Sequence, residues 1–295
     1  MKHPVPPAVD PLRRACLASG VATGLALSTG LARAQTAPEG GYRFTPVPQY
    51  AIPLVAAYWN PILAWVSERS GVKLVLKIAR TSAETTAFVL KDEAEFVFTN
   101  HLFSPDREQL GWKVFGRRFV PPIHGQIIVP ADSPITTLAQ LEGKEVSFPG
   151  AEAFVAYKVP YAQLLTQKIN VKVSFGGNLD GAMAQMYSGR TAACGVNSQI
   201  AEGHARRENK RYRVLWSSEP FHELALMSSP RVPDKDQKAV AAAFAAMHKD
   251  AKGLEVLTAA SQQVGLTGET HFIASNGSEY DAYRRFYQTA PASLR

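Results

Sequence analysis

Between residues 42 and 251, short apolar runs of strand character alternate with longer segments whose apolar residues recur at helical spacing. The strand-like runs include VKLVLKIA (72–79), EFVF (95–98), EVSF (145–148) and VKVSF (171–175), with others at 42–47, 114–119, 125–129, 192–196 and 213–216. The helical segments are 50–70, 82–90, 135–141, 151–169, 180–188, 200–207, 235–251 and 279–289. The first ends at Gly71 and contains Pro61, which predicts a kink or a split. Runs this short and apolar need cover on both faces. The expected fold is therefore α/β, with mainly parallel sheets and flanking helices.

With 295 residues, 46% hydrophobic and 19% charged, the chain is an ordinary globular one, long enough for one large domain or two smaller ones. Its two cysteines, Cys16 and Cys194, exclude a disulfide scaffold and a cysteine-rich metal site. No cofactor is implied. The formal charge is +7. No Lys/Arg run is interleaved with aromatics, so nucleic acid is not an expected partner. A mild positive bias suits a protein that meets small anions.

Residues 1–34 read as a cleaved signal peptide. A polar stretch ends in Arg13-Arg14, and weakly apolar residues run from Ala15 to Leu31. Ala32-Arg33-Ala34 then forms a cleavage signature before Gln35. Diluted by glycine, serine and threonine, this run lacks the apolar weight of a membrane span. The arginine pair suggests the twin-arginine route, whereas Ala15-Cys16-Leu17 departs from its motif, so both export routes stand. Residues 35–41 are a disordered leader on this reading, and the mature protein is periplasmic.

Fingerprints for nucleotide binding, serine hydrolysis and metalloprotease chemistry are missing. No two histidines sit at i, i+4 spacing, so a local metal site has no support. His101, His124 and His222 fall beside strands, where α/β proteins build sites. Polar residues cluster at strand ends: Thr99-Asn100-His101, Asn197-Ser198-Gln199 and Ser217-Ser218-Glu219. At helix starts such residues are caps first, but the free N–H groups there also attract anions.

Four stretches together resemble one family: YWNPILAWVSERSGVKLVL (58–76), GQIIVPADSPITTLAQLEGKEVSFPG (125–150), FGGNLDGAMAQMYSGRTAACGVNS (175–198) and VLWSSEP (214–220). They are similar to the phosphate/phosphite/phosphonate solute-binding proteins of ABC transporters, of the type II periplasmic binding fold. The resemblance implies two lobes joined by two crossover strands that act as a hinge. Lobe one would be 42–127 plus 222–295 and lobe two 128–221, with crossings near 127–129 and 216–220. The implied function is capture of a small, anionic or polar solute by a monomer that delivers it to an ABC permease. A sensor subunit serving a membrane histidine kinase would need the same pocket. An enzyme on this fold would need an acid or base in the cleft, with Glu152, Glu219 and His124 as candidates.

The resemblance also marks where this chain departs. The family grips its oxyanion with an S-x-S-G-type segment before a proline. Counted back from Pro160, this chain has Ala153, Val155 and Ala156 there. Ser82 stands where the family has a lobe-one aromatic, and His124 where it has an aromatic before the crossing. Expected pocket residues are Tyr50, Arg80, Ser82, Asn100, His101, His124, Gln126, Ala153, Tyr157, Asn197, Ser198 and Glu219, with Arg80 offering a bidentate charge. An anion resting on His101 or His124 would bind more weakly above pH ~7.

Overall fold

The computed structural model describes residues 38–295, so the predicted signal segment lies outside the described residues. Two sheets organise the chain. The first contains β1 (Tyr42–Pro46), β2 (Leu74–Leu76), β3 (Phe96–Thr99), β4 (Lys113–Phe119), β10 (Ala225–Ser228) and β11 (His271–Ala274), in the order β11-β4-β10-β3-β1-β2. The second contains β5 (Ile123–Pro130), β6 (Glu145–Phe148), β7 (Lys172–Phe175), β8 (Ala193–Asn197) and β9 (Tyr212–Phe221), in the order β7-β6-β8-β5-β9.

The helices are α1 (Ile52–Ser70), α2 (Ser82–Leu90), α3 (Pro105–Glu108), α4 (Val159–Thr166), α5 (Leu179–Tyr187), α6 (Ser198–Arg207), α7 (Asp234–Ala246), α8 (Ala251–Gln263) and α9 (Asp281–Thr289). In α1, Val55, Tyr58, Trp59, Ile62, Leu63 and Val66 recur at helical spacing and are buried. The helix stops at Gly71, whose φ of 69° is the left-handed form glycine tolerates, and whose N–H bonds Ser67 O. Pro61 neither splits nor ends this helix. It lies on the exposed side, where its missing N–H leaves Ala57 O to water.

Both sheets are mixed, not mainly parallel. β1 pairs in parallel with β2 and β3, and β6 with β7 and β8. β10 and β11 run antiparallel to their neighbours, as β5 does to β8 and β9. The reason lies in the crossings. The chain leaves the first sheet through residues 120–122 and returns through 222–224. The outgoing and returning strands must therefore run opposite ways. They pair from Ile123↔Phe221 onward, so 123–127 lies in the second sheet, upstream of the expected crossing at 127–129.

β3 and β8 are buried along their whole length, each near the middle of its sheet. The apolar core of the first lobe gathers Phe44, Trp59, Phe96, Phe98 and Phe244 between β1, β3, α1 and α7. In the second lobe Ile127, Val129, Val146, Phe148 and Leu164 pack together. A third cluster joins the lobes. Phe154, just before α4, packs against Tyr283 of α9 at 4.4 Å between ring centroids, and against Phe286 at 4.8 Å. Fully burying such a ring contributes roughly 1.5–3 kcal/mol. No described helix is long and apolar enough to cross a membrane.

Candidate functional site

The carboxyl ends of β1, β3, β6, β7 and β8 converge on one cavity of about 60 Å³ between the two sheets. α/β sheets bind ligands at such strand ends. One water needs about 10–15 Å³, so the cavity has room for a compact solute of a few heavy atoms. Gln49 enters from the turn after β1, Asn100 and His101 from β3, and Ser82 from the start of α2. The opposite wall is Pro149, the segment Ala153–Ala156, Leu179 and Asn197.

The second wall presents backbone rather than hydroxyls. Residues Phe154–Lys158 form a turn of π-helix leading into α4. Tyr157 and Lys158 N–H groups both bond Ala153 O. Among the described residues, the N–H groups of Phe154, Val155 and Ala156 find no acceptor in the preceding chain. They are the unpaired first-turn donors of a helical stretch, and the dipole there favours negative charge. Gly195 lets β8 approach this turn closely. A Cβ there would lie 2.3 Å from the Phe148 ring and 2.6 Å from Ala156 O.

The first wall supplies side chains. Ser82 is buried and its Oγ has no partner. Thr81 caps α2 by accepting from Glu84 N–H. His101 is 1% exposed, with Nδ1 3.1 Å from Thr86 Oγ1 and Nε2 unpartnered. Burial, reinforced by Arg107 and Lys158 against the opposing Glu152, lowers the His101 pKa to about 3. The imidazole is therefore neutral at any physiological pH, which removes the expected weakening of binding above pH ~7 through His101.

Of the residues expected in the pocket, Ser82, Asn100, His101, Ala153 and Asn197 line this cavity. Asn197 caps α6 through Oδ1, accepting from Gln199 and Ile200 N–H. The others stand elsewhere. Arg80 is exposed, with only its backbone N–H engaged, by Glu84. Glu219 is exposed on β9. Tyr157 stacks on Tyr161 at 5.3 Å and meets Phe148 edge-on. His124, Gln126 and Ser198 fasten the strand crossing. His124 Nδ1 lies 2.8 Å from Ser218 O, and His124 N–H donates to Ser198 Oγ. Gln126 Nε2 reaches Ser217 Oγ across the register shift between β5 and β9. Backbone polar groups at a bulge need such partners, so these side chains were claimed by the hinge.

Tyr50 does not line the cavity; it is buried beside Arg118 and Glu223, a polar group that no local sequence pattern marks. Arg118 is fully buried, and its Nη2 donates to Glu223 Oε2 at 2.8 Å and to Gln49 Oε1 at 3.3 Å. Its guanidinium sits 5.5 Å from the Tyr58 ring and 5.3 Å from the Phe98 ring. Glu223 also accepts from Leu224 N–H at 2.9 Å. The pair anchors Gln49, the nearest lining residue, from behind.

Contacts across the cleft hold the lobes together. Asp180 Oδ2, on α5, accepts from Ala51 N–H at the start of α1 at 2.9 Å. Asp180 Oδ1 is met by His204 Nδ1 and Arg207 Nη2, both at 2.7 Å. Arg207 and Arg206 donate to Val264 O and Gly265 O beyond α8. On the other side, Arg107 grips Glu152. The cavity thus lies in a cleft whose two lobes are in contact on both sides. Cys194 is fully buried and burial lifts its thiol pKa to about 12, so it packs as a small apolar side chain. Among the described residues, no three His, Cys, Asp or Glu side chains are grouped to hold a metal.

A two-sheet chain hinged by paired crossing strands around a small cleft is a solute-binding receptor in architecture. Solved structures share it. A binding protein component of an ABC phosphonate transporter from Pseudomonas aeruginosa superposes with a TM-score of 0.71 at 14% identity, covering 84% of this chain and 86% of that one. PhnD1 of Prochlorococcus marinus in complex with methylphosphonate gives 0.70 at 14% identity, covering 84% and 97%. A Xanthomonas citri protein bound to ATP gives 0.62 at 15% identity, covering 86% and 97%. At these identities the likeness is one of fold, the type II periplasmic binding fold. None of the curated proteins matches the chain.

Residues 44–274 match the model of the phosphonate ABC transporter periplasmic substrate-binding proteins, and the chain belongs to that family. It is a receptor that captures a small solute and delivers it to a membrane permease.

Proposed function

We propose that the solute is a small phosphorus oxyanion, of the phosphite or alkylphosphonate class, held between the lobes. One observation carries this reading: Phe154, Val155 and Ala156, whose N–H groups are unpaired at a helix start, line the same cavity as Ser82, whose Oγ has no partner. Backbone donors at a helix start serve an oxyanion without the missing serines. Among the described residues, no Lys or Arg lines the cavity, so the charge rests on dipoles and neutral donors. No described carboxylate lines it either, and its volume is about 60 Å³. Both features favour phosphite or methylphosphonate over an aminoalkylphosphonate, whose ammonium would need a partner.

The same reading makes the protein a non-enzymatic, monomeric receptor, exported to the periplasm and cleaved after Ala34. The candidate acids and bases support it. Glu152 is bound by Arg107, Glu219 is exposed and His124 serves the hinge. Service to a sensor kinase would use the same cleft.

A thermal-shift panel tests the ligand class. It would hold phosphate, phosphite, methylphosphonate, aminoethylphosphonate, sulfate, taurine and small carboxylates. A ligand at 100 times its Kd adds about 2.7 kcal/mol, a shift of several degrees. Phosphite and methylphosphonate should give the largest shifts. A carboxylate or taurine giving the only shift would overturn the reading.

A further inference from the structure

The Thr86 hydroxyl has one proton and two neighbours. It lies 3.4 Å from Ser82 O, one helical turn back, and 3.1 Å from His101 Nδ1. A carbonyl can only accept, so both contacts are hydrogen bonds only if the hydroxyl donates to Ser82 O and accepts from His101, an arrangement that places the imidazole proton on Nδ1. His101 Nε2 is left as a bare lone pair. It is buried and unpartnered, and His101 lines the cavity. A buried acceptor without a donor costs about 1–3 kcal/mol, a cost that a donor on the ligand would remove.

We propose that His101 Nε2 acts as a hydrogen-bond acceptor in the cleft and selects an oxyanion that still carries a proton, a P–OH group, over one that has none. The inference rests on the reading of the cleft as an oxyanion site and adds its specificity. The remaining donors, the Phe154–Ala156 N–H groups and Ser82 Oγ, take the unprotonated oxygens. A fully ionised ligand turns a charged oxygen toward the lone pair and is repelled. A sulfonate or sulfate, lacking a proton at neutral pH, meets the same repulsion.

The charged groups around His101 leave it in this role. Arg107, from α3, donates to His101 O at 3.1 Å. Glu152, from the opposite lobe, is occupied by Arg107. Lys158 sits beyond, against Tyr287. Burial and the two cations outweigh Glu152 and keep the ring neutral. The pH dependence of binding is therefore set by the ligand's own second ionisation, near pH ~6 for a phosphate ester, and not by the imidazole.

Two measurements on the purified full chain test this. Side-chain 15N NMR of the ligand-free protein reads the tautomer directly. Protonated Nδ1 with bare Nε2 is expected, and a proton on Nε2 overturns the proposal whatever the ligand. Calorimetric titration of phosphite, methylphosphonate and methanesulfonate between pH ~5.5 and ~8.5 reads the selection. The phosphorus anions should lose about tenfold in affinity per pH unit above their own second pKa. Methanesulfonate should bind on the order of 100-fold more weakly than the protonated phosphonate. In His101→Gln, whose amide can turn a donor inward, the pH slope and the sulfonate penalty should both shrink. Flat phosphonate affinity with equal sulfonate affinity overturns the acceptor role and leaves the oxyanion reading intact. Binding of no phosphorus oxyanion at any pH overturns that reading and the proposal together.

Discussion

Arg107 and Glu152 clasp each other across the cleft, with Nη1 2.5 Å from Oε2 and Nη2 3.1 Å from Oε1. Arg107 belongs to α3 beside the first sheet, and Glu152 to the turn after β6. This bidentate pair spans the two lobes. Burial alone would raise the Glu152 pKa, but the Arg107 contact outweighs it and holds the carboxyl below its ordinary 4.5. The clasp's contribution is therefore present above the ordinary carboxylate range and lost as pH falls through the lowered value. Glu152→Gln should weaken ligand binding about tenfold at pH ~7, equivalent to ~1.4 kcal/mol of closure. Calorimetric Kd values for the two proteins check this, and unchanged affinity would show that the clasp does not favour closure.

His101 makes a second pH effect, on stability. Its folded pKa of about 3 lies below the ordinary 6.5. Between those values the unfolded chain binds a proton that the folded chain refuses. Stability therefore falls as pH drops below about 6.5, with a slope of up to ~1.4 kcal/mol per unit from this group. His101→Gln should flatten the acid limb of a urea-denaturation series between pH ~6.5 and ~4. An acid limb as steep as the parent's would contradict the buried neutral imidazole.

Much of the fold was legible in the sequence because it rests on local signals. The apolar spacing from Val55 to Val66 and the stop at Gly71 mark α1. The buried runs of β3 and β8 read as strands for the same reason. Strand direction was not legible. Whether β5 runs parallel or antiparallel depends on the chain crossing to another sheet and returning, which no local pattern records. Strands β10 and β11 and helix α8 went unread, because ALMS and HFIA are four-residue runs without flanking glycine.

The site was half legible. Asn100, His101 and Asn197, which line the cavity, follow from position at strand ends and helix starts, and Ser82 and Ala153 from the resemblance. His124 and Ser198 carry the same signal, but the crossing of β5 and β9 uses them. Arg118 and Glu223 could not be found this way, being 105 positions apart in the chain with no local pattern that links them.

Phe154 is the apolar bolt between the lobes, packed on Phe221, Tyr283, Phe286 and Tyr287. Phe154→Ala should cost about 3–5 kcal/mol and weaken ligand binding, since Phe154 also lines the cavity. Urea denaturation and calorimetry on the same variant would show both. Loss of stability with ligand affinity retained would separate the bolt from the binding wall.

The buried Arg118–Glu223 pair makes a sharper stability test. Breaking it from one side leaves a charge without its partner. Arg118→Met alone should cost about 3–5 kcal/mol, and Glu223→Met a similar amount. The double variant should cost clearly less than the two together, because no unpaired charge remains. Additive losses in a denaturation cycle would mean the two side chains act independently.

The central claim is that the Phe154, Val155 and Ala156 N–H groups hold a small oxyanion. Backbone amide NMR during titration with methylphosphonate tests it most directly. These three amides should shift downfield together and saturate with the ligand, as hydrogen bonds to an anion require. If methylphosphonate binds while they stay in place, the oxyanion sits elsewhere and the account of the cleft is wrong.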